Sequence, residues 1–219
     1  MRSAQKQRAL LVVVLGFVVF GAMAALVATG KIEQDAAILG WLEGQRSSFW
    51  TSAMVAITRL GTGPVTLTVT AVLCLWLFVR RQRLDAAFLA TANFGSAIIN
   101  VAVKAIFERH RPPIEIVNSI LEPQSLSFPS GHAMGAMVFY VSICIIGVHW
   151  HRPWRALVLV LALVMVPTMG FTRLYLGVHY PSDVVAGWAL GAAWVSLSYL
   201  VLFQTWPGGR RVASRRGGE

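Results

Sequence analysis

Charge is scarce in this chain, and acidic charge scarcer still: Asp, Glu, Lys and Arg make up 13% of the 219 residues, nine acidic against 19 basic. With 56% hydrophobic residues, this composition excludes an ordinary soluble domain and places the chain in a bilayer. Cysteine is nearly absent too. Cys74 and Cys144 each lie in the middle of an apolar run, where they behave as small hydrophobes, and no disulfide or metal-binding pattern is present. The lack of charge is concentrated in six runs, 9–29, 64–79, 86–103, 133–148, 156–171 and 184–203, that hold no Asp, Glu, Lys or Arg. A spanning helix needs roughly 17–25 residues, so the shorter runs must borrow flanking positions. The expectation is an all-α polytopic membrane protein in one membrane-embedded unit, 1–219. Its six-helix transmembrane bundle has crossings at about 9–29, 64–79, 86–107, 131–150, 155–171 and 181–205.

A net charge of +10 raises the possibility of nucleic acid, but the placement of the charges argues against it. If the N-terminus is cytoplasmic and all six runs cross, twelve basic residues face Asp85 and Glu219 inside, and seven basic residues face seven acidic ones outside. The whole surplus then sits on one side, as the positive-inside rule expects, with anionic headgroups as the partner. Both termini are therefore expected in the cytoplasm. Arg2, Lys6 and Arg8 before the first run, with Ala22-Met23-Ala24 inside it, also fit a cleavable signal peptide, but the apolar stretch continues to Thr29 and suits a retained helix better.

Between the first two crossings, Ile38, Leu39, Trp41 and Leu42 cluster, and Phe49, Trp50, Ala53, Met54, Ile57 and Leu60 recur at three- and four-residue spacing. This predicts an outer interfacial helical segment, either packed on the bundle, which we favour, or forming a wall that guides lipid. Gly61-Thr62-Gly63-Pro64 ends it. In the third crossing Asn93, Asn100 and Lys104 share a face turned to the bundle interior, with an interhelical hydrogen bond expected for Asn93. His149 and His151 fall in an inner loop and are read as interfacial, and Trp206 and the arginine-rich tail end the chain inside.

Three polar motifs stand at the outer edges of these runs: Lys104-x6-Arg111-Pro112, Pro129-Ser130-Gly131-His132, and Thr172-Arg173-x5-His179-x3-Asp183. Ser130 is a natural N-cap, and Gly131 lets a ligand approach free amide N–H groups at the positive end of a helix. Pro181 suits a first helical turn, which puts His179 just before the helix and Asp183 within reach of its imidazole. Glu108, Arg109 and His110 are read as solvated or paired at the rim. Because alternate crossings return to the same side, all three motifs are brought to one outer face. Cations, imidazoles and one carboxylate together describe an anion site containing a nucleophile.

The order and spacing of these motifs, across roughly 80 residues, resemble the signature of the type 2 phosphatidic acid phosphatase family of membrane lipid phosphatases. One departure is Thr172, where the family usually has Ser; a hydroxyl is retained, and the extra methyl is expected at most to narrow the pocket. The resemblance implies that His179 attacks phosphorus, Asp183 holds its other ring nitrogen, and His132 protonates the leaving oxygen and then activates water. It further implies that Lys104, Arg111, Ser130, Gly131 and Arg173 hold the phosphate, with no metal and no cofactor. Implied substrates are lipid phosphates such as undecaprenyl diphosphate, phosphatidylglycerophosphate or phosphatidic acid, met outside a bacterial plasma membrane. Transfer of the phosphate to another lipid, and a non-catalytic lipid transporter or binder, are the alternative functions. A divalent-metal site is disfavoured by three cations against one carboxylate, and haloperoxidase chemistry by the amphiphilic setting.

Overall fold

The computed structural model describes residues 2–30, 33–122, 125–150 and 152–205, with side chains of 4–30, 33–122, 125–147 and 155–203. The readings of His149, His151, Trp206 and the arginine-rich tail lie outside those side chains. Among the described residues all regular structure is helical: α1 (Arg2–Ala28), α2 (Glu33–Gly44), α3 (Ser48–Leu60), α4 (Gly63–Val79), α5 (Arg83–Phe107), α6 (Gly131–Trp150), α7 (Arg152–Tyr175) and α8 (Pro181–Tyr199), extended by a π-helical turn, Leu200–Thr205.

A helix stands at each expected crossing, but the count of six is not reached on length and apolarity alone. Four helices have both: Ala4–Ala28, Arg83–Phe107, Arg155–Tyr175 and Pro181–Phe203. The pair α3 and α4, bent by 45° at their junction, makes a fifth if taken as one span. The reason at α4 is local: Gly61 to Pro64 breaks the chain between α3 and α4, leaving α4 with 17 residues. Side chains such as Leu11, Val14, Val18, Val72, Ile98 and Leu163 stay exposed on the helices, an apolar surface suited to lipid.

The helix α8 packs against α1, α5, α6 and α7. Its approach to α6 depends on small residues. A Cβ on Gly187 would lie 2.6 Å from the Ser130 carbonyl oxygen, and one on Gly191 3.0 Å from that of Met134. Backbones that close bring the α6 and α8 N-termini together, and the Ser130 N–H donates to the Asp183 carbonyl at 3.0 Å. Phe88, Leu89, Ala92, Val138 and Val195 fill the membrane-level core beneath.

The segment between α1 and α4 is two helices, and the packing expected of it is found. Leu39 of α2 is buried with Val117 and Tyr180; Met54 of α3 packs with Tyr175, Leu176 and Val178. Arg46, between the two helices, donates to the carbonyls of Tyr175 (2.9 Å) and Asn118 (2.6 Å). These contacts clamp residues 175–180, the connector that carries His179. Trp41, Phe49 and Trp50 of the same segment remain exposed.

Candidate active site

Where α5 and α7 end and α6 and α8 begin lies a cavity of about 290 Å³ whose wall includes Lys104, Arg111, Gly131, His132, Arg173 and His179. Three separate motifs thus meet in one place. Asp183 and Ser130, both fully buried, stand behind this wall rather than on it.

His179 sits in the short connector between α7 and α8, and its two ring nitrogens face opposite ways. Nε2 lies 3.2 Å from an Arg111 guanidinium nitrogen, and Nδ1 lies 3.3 Å from Asp183 Oδ2. A guanidinium can only donate, so Nε2 accepts and the proton belongs on Nδ1, toward the carboxylate. Burial pushes the imidazole pKa down to about 3; the Asp183 hydrogen bond works against that shift and the Arg111 charge with it. His179 is therefore a neutral base with its lone pair aimed at the cavity.

The reach of Asp183 follows from the start of α8. Pro181 opens the helix, and the Asp183 carboxylate folds back to accept the Tyr180 N–H at 3.0 Å, as a capping box does. Ser127 donates to the same oxygen and lies 3.4 Å from His179 Nδ1.

Two of the three expected cations are partly occupied by the loop between α5 and α6. Lys104 donates from its last-turn position on α5 to the carbonyls of Leu126 and, at 3.3 Å, Ser127. Arg111 donates to the Val178 carbonyl and the Ser125 carbonyl, the latter at 2.7 Å, and burial lowers its pKa to about 10, leaving it a cation at neutral pH. Arg173 lies in the last turn of α7, which runs past the expected end at Phe171, and it donates to Thr58 Oγ1 at 2.6 Å. Its Nε, and Nε2 of His132, are buried without a partner. Both residues belong to the cavity wall, which with its cations suits an acceptor-rich ligand such as phosphate.

Three expectations are corrected. Ser130 does not face the cavity: its hydroxyl caps α6, 3.5 Å from the Ala133 N–H. Asn93 donates to Leu89 of its own helix at 3.0 Å, not across helices, because the i−4 carbonyl is the nearest acceptor. Thr172 does not narrow the pocket; its hydroxyl bonds back to the Met169 carbonyl at 2.7 Å and the residue is off the wall. Of the two readings of Arg109, solvated or paired, the structure takes the second. Its side chain is 9% exposed and ion-paired to Asp183 at 2.6 Å and Asp35 at 3.2 Å, whereas Glu108 and His110 are exposed as expected.

Other residues of the site carry no motif: Thr58, Ser127, Asn100 and Asp35. Thr58 had a detectable signal, since it follows Met54 by four residues and so shares that helix's buried face. Asn100 donates to the Pro129 carbonyl at 3.3 Å, and its side-chain oxygen would be 3.0 Å from a Cβ on Gly131, so any larger residue there would press on Asn100.

The PAP2 superfamily model matches residues 85–207, more than half of the chain. Phosphatidylglycerophosphatase B of Bacillus subtilis is 29% identical over 180 residues, covering 80% of this chain and 87% of that one. An undecaprenyl-diphosphatase of Sulfolobus acidocaldarius is 30% identical over 158 residues, covering 70% and 71%. The crystal structure of the transmembrane PAP2-type phosphatidylglycerolphosphate phosphatase from Bacillus subtilis superposes with a TM-score of 0.77 at 29% identity, over 85% of this chain and 93% of that one. This helical membrane chain belongs to the PAP2 superfamily, as a hydrolase acting on phosphate esters.

Proposed function

We propose that the chain is a metal-independent lipid phosphatase that works through a phosphohistidine on His179. The observation that carries this reading is the opposed setting of the two His179 nitrogens, one toward Asp183 and one toward Arg111 and the cavity. Nε2 attacks phosphorus and the bond to the leaving oxygen breaks. His132 gives that oxygen its proton, then takes a proton from the water that cleaves the phosphorus–nitrogen bond. Lys104, Arg111 and Arg173 stabilise the charge spread over the phosphoryl oxygens, and the Gly131 end of α6 adds free N–H groups. Asp183 keeps Nδ1 protonated before attack and stabilises the imidazolium character that develops.

The substrate class is a lipid phosphate or diphosphate, with undecaprenyl diphosphate, phosphatidylglycerophosphate and phosphatidic acid as members; a polyprenyl diphosphate is favoured. Support comes from the activities for which the relatives are named and from a cavity that continues along the α4 and α5 faces, past Thr66, Ala97 and Val101. Six crossings in a single unit, with both termini inside and the site outside a bacterial plasma membrane, complete the reading, supported by the one-sided basic surplus.

Phosphate release by purified protein from these three lipids, with chelator in excess, tests the activity. Undiminished release is expected; loss that a divalent ion restores would sink metal independence. A cysteine placed in the 115–122 segment is expected to react with an impermeant reagent on intact cells, and labelling only after lysis would reverse the topology.

A further inference from the structure

A buried carboxylate must have both oxygens satisfied, and the family motif accounts for one oxygen of Asp183. Oδ2 faces His179, Tyr180 N–H and Ser127. Oδ1 is held by Arg109 at 2.6 Å. Arg109 is one of the six unspecified positions of the first motif. Its guanidinium lies 3.9 Å over the Tyr180 ring, donates to Ser182 Oγ at 2.7 Å, and pairs through its other terminal nitrogen with Asp35 of α2 at 3.2 Å. Asp35 in turn accepts the Ser182 N–H at 3.0 Å and the Ser182 hydroxyl. The result is a line of alternating groups, His179, Asp183, Arg109 and Asp35, leading from the cavity back to the outer helix.

We propose that Arg109 and Asp35 are positioning residues for the reaction at His179. Arg109 fixes the second oxygen of Asp183 and opposes its charge; Asp35 opposes Arg109, so that helix α2 tunes how firmly the imidazole holds a second proton. The inference rests on His179 being the nucleophile. Other charged or titratable groups facing His179 are Arg111 from the loop after α5, Lys104 from α5, Arg173 from α7 and His132 from α6, and all lie on the cavity side. From the rear, the facing groups are Arg109, Asp35 and the Tyr180 phenol. Among the described residues, α1 brings Met23, Leu26 and Val27, and α2 also Glu33, to the cavity on that side. The competing account is that Asp35 merely caps the α8 N-terminus and tethers α2.

The two accounts differ in sign. Only neutral imidazole attacks, so the rate falls as pH drops through the His179 midpoint. Removing the Arg109 charge leaves Asp183 unopposed, which favours imidazolium and moves the midpoint up. Removing the Asp35 charge leaves Arg109 unopposed and moves it down.

The test uses the full chain in detergent with short-chain phosphatidic acid as probe, reading the acid limb of kcat/KM. The pH dependence of carbethoxylation at His179, followed by mass spectrometry, reads the same midpoint without turnover. Arg109→Gln is expected to raise both midpoints by about one pH unit. Asp35→Asn, which keeps an oxygen acceptor for Ser182, is expected to lower them, and the double variant to return close to the original. Arg109→Lys keeps the charge and is expected to keep the midpoint, which carries the test if Arg109→Gln does not fold. Midpoints that stay put, or move the same way in Arg109→Gln and Asp35→Asn, would overturn the proposal. Carbethoxylation midpoints that move as stated while no lipid phosphate is turned over would instead remove the phosphatase reading and leave the network standing.

Discussion

The front and the rear of His179 are built on opposite principles. In front, Arg173 Nε and His132 Nε2 are buried without partners, and Arg111 and Lys104 are held largely by backbone carbonyls, which neutralise none of their charge. Behind, both oxygens of Asp183 are occupied and Arg109 is paired twice. Unpaired buried nitrogens cost free energy, on the order of 1–3 kcal/mol each, and a ligand that satisfies them recovers it. The named rear groups are paired with one another, and that pairing fixes the geometry of the imidazole. A site can therefore be divided into the half that awaits substrate and the half that holds the nucleophile still.

Breaking the line between the halves should have the largest effect. His179→Ala is expected to abolish the trapped phosphoenzyme and lower turnover by roughly 10⁴–10⁶-fold; a phosphohistidine that survives this change would assign the nucleophile elsewhere. On the front, His132→Ala is expected to slow alkyl phosphate monoesters by about 10²–10⁴-fold, diphosphate lipids less, and aryl phosphates least, since a better leaving group needs less protonation. Equal losses on all three would reduce His132 to a phosphate contact. An Arg173→Ala change removes a cation with an unfilled position and should cost on the order of 10²–10³-fold, mostly in kcat, if it acts on the transition state. Steady-state kinetics in which only KM rises would make it a ground-state anchor.

Subtler changes sharpen the comparison. Because burial holds His179 neutral, with a pKa lowered to about 3, its attacking form is already present well below neutrality. His179 itself should therefore contribute no acid limb between pH 7 and 5, and a carbethoxylation midpoint at His179 near the ordinary imidazole value of about 6.5 would refute the burial argument. Thr58→Val keeps shape and deletes the acceptor for Arg173, and should lower kcat/KM about 5–10-fold, corresponding to roughly one hydrogen bond. The smallest effect is expected for Thr172→Ser, within about twofold in activity, because that methyl is buried away from the cavity.

Much of the fold was legible because lipid imposes a one-dimensional rule: charge-free runs of membrane length become helices, and their alternation sends every second connection to the same face. Lys104, Arg111, His132 and Arg173, carried by different helices or loops, were expected to converge on that ground together with the family resemblance, and they line one cavity with His179. The shortfall in span count was not legible, since a bent pair such as α3 and α4 depends on how the break is oriented rather than on composition.

Composition and spacing thus determined the membrane setting, the helical segments and the set of polar groups at one face. Tertiary structure alone decided their partners. Asp35 and Arg109 are 74 residues apart, as are Arg109 and Asp183, and Thr58 meets Arg173 across 115. No periodicity links positions so distant. Ser130 and Thr172 show the same limit from the other side, because a hydroxyl near a helix end chooses between ligand and local backbone, and here both chose backbone. That choice is made by distances between packed helices, which a sequence constrains only after the whole chain has folded.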